Sequence, residues 1–281
     1  MKISQIESFN LGDSIRGFFI CDKKINKNTR LGDPYIDLLI KDSSGVIRCK
    51  IWNNVDFYNN KIQEGCPVAV KGNIISYNGQ LEIDIKHINT IVNDEYNLYG
   101  FDRKLIVKSF NKNIQTIWTD LESNISKIPK PLKKLISTIY RKNKEKISII
   151  PHYDNSYNLK HGYINKINNV LKINSKLSYI YNNLDISKIL AGIFVKDLGC
   201  IDYFNDDMTF SISDKSKYLN LDILGINLLN SFCADIEINE DVKLYLNHVI
   251  SNKIEYHDLE SEYIDMIFKI DSKFNNNLES L

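Results

Sequence analysis

"PYIDLLIKDSSGVIRCKIWN", residues 34–53, decides the fold. Two short runs rich in β-formers, 34–42 and 45–52, flank the turn signal Ser43-Ser44-Gly45. In the second run Arg48 and Lys50 share one face by strand alternation. Working outward, three more runs read the same way: "SIRGFFICDK" (14–23), "CPVAVKGNII" (66–75) and "GQLEIDIKHI" (79–88). Gly32-Asp33-Pro34, Gly65 before Pro67, and Asn78-Gly79 separate them. Asn-Gly between two such runs is a strong hairpin signal, because both turn residues must take positive φ. In the last run Leu81, Ile83 and Ile85 point one way, and Glu82, Asp84 and Lys86 the other.

Five short strands, with a longer irregular piece (53–66) before the fourth, predict an OB-fold β-barrel over residues 1–92. With the helical patterns downstream, the fold class is α+β in two domains. An OB-fold holds a single strand by stacking bases on aromatics and tracking phosphates with Lys and Arg. The candidates for that face are Phe18 or its neighbour Phe19, Tyr35, Arg48, Lys50, Trp52, Tyr77 and Lys86. Trp52 and Tyr77 can equally cap the barrel core. Residues 1–92 carry 12 basic and 10 acidic side chains, which argues for weak rather than tight binding.

A chain of 281 residues favours two domains over one. No apolar run reaches 18 residues, so no membrane span is expected. The opening "MKISQIESFN" lacks the apolar core of a signal peptide. Cysteines 21, 49, 66, 200 and 233 are odd in number, scattered and free of CxxC spacing. They read as reduced core residues of a cytoplasmic protein, not as a disulfide or zinc framework.

Residues 93–150 hold 12 basic and 6 acidic side chains, against 12 and 19 in residues 151–281. The middle is either a polyanion-binding strip or a solvated helical linker. Ile114, Ile117, Trp118 and Leu121 lie at helical spacing, and Leu132, Leu135, Ile136 and Ile139 resume it after Pro129 and Pro131. Two helices with a proline joint are predicted, the second carrying Lys133, Lys134, Arg141, Lys142, Lys144 and Lys146.

Residues 151–281 read as all-helical. Tyr163, Ile167 and Val170, preceded by Leu159, make one stripe. Ile186, Ile189, Leu190, Ile193 and Phe194 make another, capped at Asp185 and stopped at Gly199. Leu224, Leu228 and Leu229, then Leu244, His248 and Val249, then Tyr263, Ile264, Ile267 and Phe268 suggest three more.

The barrel signature, "VKGNIISYNGQLEIDI", "ILAGIFVKDLGCIDYF" and "HVISNKIEYHDLESEYIDMIFKIDSKFN" together resemble the YhaM-type 3′–5′ exoribonucleases, an OB-fold followed by an HD phosphohydrolase domain. The resemblance covers most of the chain and implies binding of single-stranded nucleic acid, RNA above all. It also implies a divalent metal held by His and Asp that activates a water. The departures concern that metal. Lys196 stands where the His of the HD pair would be, and Lys166 where an earlier ligand His would be. Leu221 or Asp222 takes the place of a third, and Ser251-Asn252-Lys253 replaces a Ser-His-His segment. Asp197 and Asp271 remain. Histidines 87, 152, 161, 248 and 257 fall elsewhere; 248 and 257 come nearest, and 152 and 161 read as surface or locally bonded.

A protonated lysine is a competing cation, not a ligand. No cofactor is therefore expected, and no catalytic residue; Mn or Mg on Asp197 and Asp271 belongs only to an active enzyme. Helical phase turns Lys166, Asp197 and Asp271 inward. One reading puts the Lys166 ammonium among the two carboxylates, with Lys196 at the rim; the other leaves a solvated cleft. Three functions stay open. The chain is a nucleic-acid-binding protein with a lapsed hydrolase domain, an active exonuclease with a remodelled site, or a structural subunit that binds another protein or itself.

Overall fold

The computed structural model describes residues 3–92, 95–102, 105–110, 112–181, 183–207, 210–251 and 258–278, with side chains as far as 275. The chain divides into two compact units, Met1–Lys108 with Asp207–Thr209, and Ser109–Asp206 with Phe210–Leu281.

The first unit is a closed five-stranded barrel with strand order β1-β2-β3-β5-β4. The strands are β1 (Ser14–Asn28), β2 (Pro34–Lys41), β3 (Val46–Ile51), β4 (Pro67–Tyr77) and β5 (Gln80–Thr90). All five predicted runs are strands. The first half of β1 pairs with β4 and the second half with β2, with an irregularity between Cys21 and Lys23 where the strand turns the corner. Helix α1 (Val55–Lys61) lies in the piece before β4, and Ile62 after it is fully buried in the barrel core. Asn78 (φ 51°) and Gly79 (φ 78°) both take positive φ, as the predicted hairpin demands.

Asp42, the acid that ends β2, has a local reason. Its Oδ1 accepts from the backbone N–H groups of Ser44 (2.7 Å) and Gly45 (2.9 Å), and its Oδ2 from that of Ile6 (2.8 Å). One buried carboxylate thus closes the turn and ties down the segment before β1.

A second small core lies outside the barrel. Phe18 and Ile20 face outward from β1 and are covered by Phe101, Ile106 and Ile91, with Tyr96 packed alongside. The interface assigned to Phe18 is corrected: only 7% of it is exposed, because Phe101, Ile106, Ile91 and Tyr96 pack over it. Phe19 is fully buried in the barrel. The alternation predicted in β5 weakens at its ends: Leu81 is 40% exposed, and Glu82 is buried.

The second unit contains helices α2 (Ile114–Ser126), α3 (Leu132–Lys142), α4 (Lys144–Ile149), α5 (Gly162–Leu177), α6 (Ile186–Val195), α7 (Cys200–Tyr203), α8 (Leu221–Cys233), α9 (Glu240–Ile250) and α10 (Leu259–Leu278). Helices α2 and α3 are the two predicted around the prolines. They bury Ile117, Trp118 and Leu121, and Leu132, Leu135, Ile136 and Ile139. Both pack against α6, with α2 also on α5 and α3 on α8. Arg141 and Lys142 stay exposed, so α3 is amphipathic with a basic outer face.

Asp185 caps α6 as expected, accepting from Ser187 (2.8 Å) and Lys188 (3.2 Å). The helix stops at Val195, four residues short of Gly199, and Asp197 lies in the turn before α7. In α9 the buried residues are Leu246, Val249 and Ile250; Leu244 is 57% exposed and His248 half-buried, so the stripe predicted there is off phase. Asn252, Lys253 and His257 lie outside the described residues. Among the described residues no helix is long and apolar enough to cross a membrane.

Candidate nucleic-acid interface and a buried polar network

The outer face of β2 and β3 follows from their register. Asp37 pairs with Lys50 and Ile36 with Ile51, which brings Tyr35 beside Trp52. Their rings stack at 4.7 Å and 26°, with Trp52 51% exposed. Lys50 continues the face: its Nζ lies 4.0 Å from the centroid of the Tyr77 ring, itself 53% exposed. Tyr35, Lys50, Trp52 and Tyr77 therefore form one aromatic and cationic strip, brought together from three strands.

The cations of this surface are already matched. Lys50 Nζ sits 2.7 Å from Glu82, Lys86 Nζ 2.6 Å from Asp84, Lys27 Nζ 2.5 Å from Asp37, and Arg48 Nε 3.4 Å from Asp37. The Asp37 carboxylate, through its hydrogen bond and its charge, holds the Lys27 ammonium above the ordinary lysine value. The strip can therefore offer ring faces to bases more readily than free charge to phosphates.

The helical unit gives Lys166, Asp197 and Asp271 partners that the sequence does not indicate. Lys166 does point inward and is 3% exposed, but its ammonium pairs with Asp154 Oδ2 at 2.6 Å and Ser272 Oγ at 2.8 Å. Neither Asp197 nor Asp271 is its ion-pair partner. The turn at 152–157 reaches into the unit and supplies the carboxylate. Burial alone would raise Asp154, but the bonds from Lys166 and Ser272 outweigh it and hold the carboxyl below the usual range.

Asp197 takes its partners from the same turn. His152 Nε2 lies 2.9 Å from Asp197 Oδ2, and the Tyr153 hydroxyl donates to Oδ1 at 3.3 Å. Of the two expectations for His152, the surface one is corrected, since it is fully buried, and the local bond is present, to the N–H of Asp154. Its Nδ1 accepts from the backbone N–H of Asp154 at 3.0 Å, so the proton sits on Nε2 and is donated to Asp197. Burial outweighs the carboxylate and holds His152 below its ordinary value of 6.5. For Asp197, burial is opposed and outweighed by His152 and by the nearby Lys166 and Lys196 ammonium groups, so it stays ionised.

Asp271 is 3% exposed; its Oδ1 accepts from the Tyr157 hydroxyl (2.9 Å) and from Asn275 Nδ2 (2.9 Å). Asn275 also donates to Tyr157. Burial raises the Asp271 carboxyl. Lys196 is not at a solvated rim: its side chain is 9% exposed, with Nζ 3.1 Å from Asp265 and 3.3 Å from the Val249 carbonyl.

A cleft of about 250 Å³ remains beside Asp197, lined by Lys196, Leu221 and Asp222 among others. Burial raises Asp222. Lys196, Asp197 and both alternatives for the third position, Leu221 and Asp222, thus line one cleft, whereas Lys166 and Asp271 do not. The donors do not suit a divalent cation. Both His152 nitrogens are engaged, Lys196 brings positive charge to the cleft, and among the described residues no three His, Cys, Asp or Glu side chains converge.

The network predicts a pH dependence. The folded state keeps His152 neutral and the unfolded chain lets it titrate normally, so stability is full above about pH 6.5 and falls as pH drops toward the folded value. Asp197 and Asp154, with depressed values, lose their contribution only at more acid pH. Far-UV circular dichroism melts between pH 7.5 and 5 should show the loss in the wild type and a flatter profile in His152→Gln.

Tyr35, Lys50, Trp52 and Tyr77 are candidates from the sequence and neighbours in the structure, whereas nothing in the sequence pattern places His152, Tyr153 and Asp154 beside Asp197 and Lys166. The one local signal was "HYDNSY" (152–157), in which Asp154 starts a turn by accepting from the Ser156 N–H at 3.0 Å.

Comparison with solved structures gives likenesses over about a third of the chain. A replication protein A domain from Methanococcus maripaludis is 22% identical over 32% of this chain and 96% of its own, with TM-score 0.29. Pot1pC of Schizosaccharomyces pombe, solved with single-stranded DNA, is 18% identical over 35% and 93%, with TM-score 0.28. A small single-stranded DNA-binding protein from Streptomyces coelicolor is 14% identical over 30% and 96%, with TM-score 0.25. Residues 21–91, from the middle of β1 to the end of β5, match the family described as an OB-fold nucleic acid binding domain. The amino-terminal unit is an OB-fold barrel, similar over residues 21–91 to that nucleic-acid-binding family.

Proposed function

We propose that this protein binds single-stranded nucleic acid, RNA in the first instance, on the outer face of β2 and β3, and that its helical unit is a lapsed HD-type hydrolase. The observation that carries the first part is the exposed Tyr35–Trp52 stack running into the Lys50–Tyr77 contact. Two neighbouring platforms on a rigid barrel suit successive bases of a flexible strand and are indifferent to sequence. The paired cations favour moderate affinity with a shallow salt dependence on this face.

The second part rests on the polar network. His152, Asp154, Asp197 and Lys166 satisfy one another, leaving no donor set for a metal-activated water. The helical unit then serves as scaffold or as the surface for a protein partner or a second copy. The five free thiols belong with a reducing, cytoplasmic compartment.

The test is a degradation assay on end-labelled single-stranded RNA with Mn or Mg, beside a binding titration without added metal. Binding without degradation is the expected result. Degradation that Asp197→Ala abolishes would overturn the lapsed-hydrolase reading, and a flat binding isotherm at low salt would overturn the binding reading.

A further inference from the structure

The barrel carries a second groove on the opposite set of strands, of about 1130 Å³, between the outer face of β1, β4 and β5 and the segment 95–100. Register lines up three basic side chains across its strands: Arg16 lies opposite Lys71, and Lys71 opposite His87. All three are exposed. Among the described residues neither Arg16 nor Lys71 has a carboxylate within ion-pair distance, although the exposed Glu95 lies on the same groove. Like charges directly opposite on neighbouring strands destabilise a sheet. On the stacking face each such cation has its acid; here two stand side by side without one. A row of this kind is favourable when an anion lies across it.

The rest of the groove fits a nucleic-acid strand rather than an isolated ion. Tyr99 is 74% exposed on its wall, and Asn89, whose amide donates to the Tyr96 hydroxyl at 2.7 Å, forms part of its floor. Resting on the binding reading above, we infer that this groove is a second, phosphate-dominated contact for the same single strand. Arg16 and Lys71 hold the backbone, with His87 extending the row. The two faces then divide the work: Tyr35, Trp52 and Tyr77 stack bases, and the Arg16–Lys71–His87 row tracks phosphates.

The experiment measures the salt dependence of binding of a fluorescein-labelled 30-nucleotide single strand to the full chain. Three proteins are compared: wild type, Arg16→Ala/Lys71→Ala, and Trp52→Ala. Each single-strand phosphate contact contributes about 0.7 to the log–log salt slope, so the double substitution should flatten the slope by about 1.4. Trp52→Ala should weaken binding at every salt concentration and leave the slope where it was. A wild-type slope in the double variant overturns the second groove, while the Trp52 effect still stands for the stacking face. A lost slope with no Trp52 effect keeps the groove and overturns the stacking reading. Arg16 and Lys71 are exposed, so unchanged circular dichroism is expected for the double variant, and its loss would overturn their assignment as ligand contacts rather than fold contacts.

Discussion

Trp52→Ala should weaken binding of a single-stranded oligonucleotide tenfold to a hundredfold. Loss of one base–aromatic stack costs about 1–3 kcal/mol. One face of Trp52 rests on Tyr35 at 4.7 Å while half of the side chain stays open to solvent. The Tyr35 contact fixes the indole plane, so little rotamer freedom remains to be lost when a base arrives. Trp52→Phe keeps a ring in the same place and should retain most of the affinity. Because Trp52 lies outside the barrel core, its removal should leave the melting temperature within a few degrees of wild type. Filter binding or fluorescence anisotropy on the three proteins decides the matter. A Trp52→Ala protein that binds like wild type would make the ring a cap on the barrel rather than a platform.

Gly199→Ala should destabilise the helical unit strongly. A methyl group at Gly199 would stand 2.0 Å from the Leu221 carbonyl oxygen and 3.1 Å from the Gly225 nitrogen. Both are backbone atoms of α8, so no rotamer change relieves the clash. The turn that carries Asp197 and the first turns of α8 approach so closely only because neither Gly199 nor Gly225 has a side chain. Overpacking at such a contact costs about 3 kcal/mol or more, enough to lower the melting temperature of the helical unit by roughly 10 °C. The barrel lies in the other unit, so single-strand binding through Trp52 should survive. A wild-type melting temperature would mean that α8 shifts freely, and that the cleft beside Asp197 is looser than its geometry.

The barrel was legible because each of its signals is local. Alternation, the Asn78-Gly79 hairpin and the serine–glycine turn fix strands and register within a few residues of one another. Once β2 and β3 are paired, Tyr35 must meet Trp52. The cover over Phe18 was less legible, because Tyr96, Phe101 and Ile106 lie about 80 positions away. Yet "GFFIC" already places apolar side chains on both faces of β1, which calls for burial on both sides. In the helical unit, periodicity gave the inward direction of Lys166 and Asp271 and the Asp185 cap. It could not give their partners. Asp154 and Ser272 meet Lys166 across 12 and 106 residues, and His152 meets Asp197 across 45. A helical stripe says that a charge is buried; only the turn that reaches it says what neutralises it.

Stacking of a base on Trp52 can be read from the indole itself. The chain has two tryptophans, and Trp118 is buried, its Nε1 bonded to Ser148 at 2.8 Å. In Trp118→Phe the remaining indole emission reports on Trp52 alone. Titration of that protein with an unlabelled single-stranded oligonucleotide should quench the emission saturably, with a midpoint equal to the Kd from anisotropy. Full binding with unchanged Trp52 emission would contradict the account.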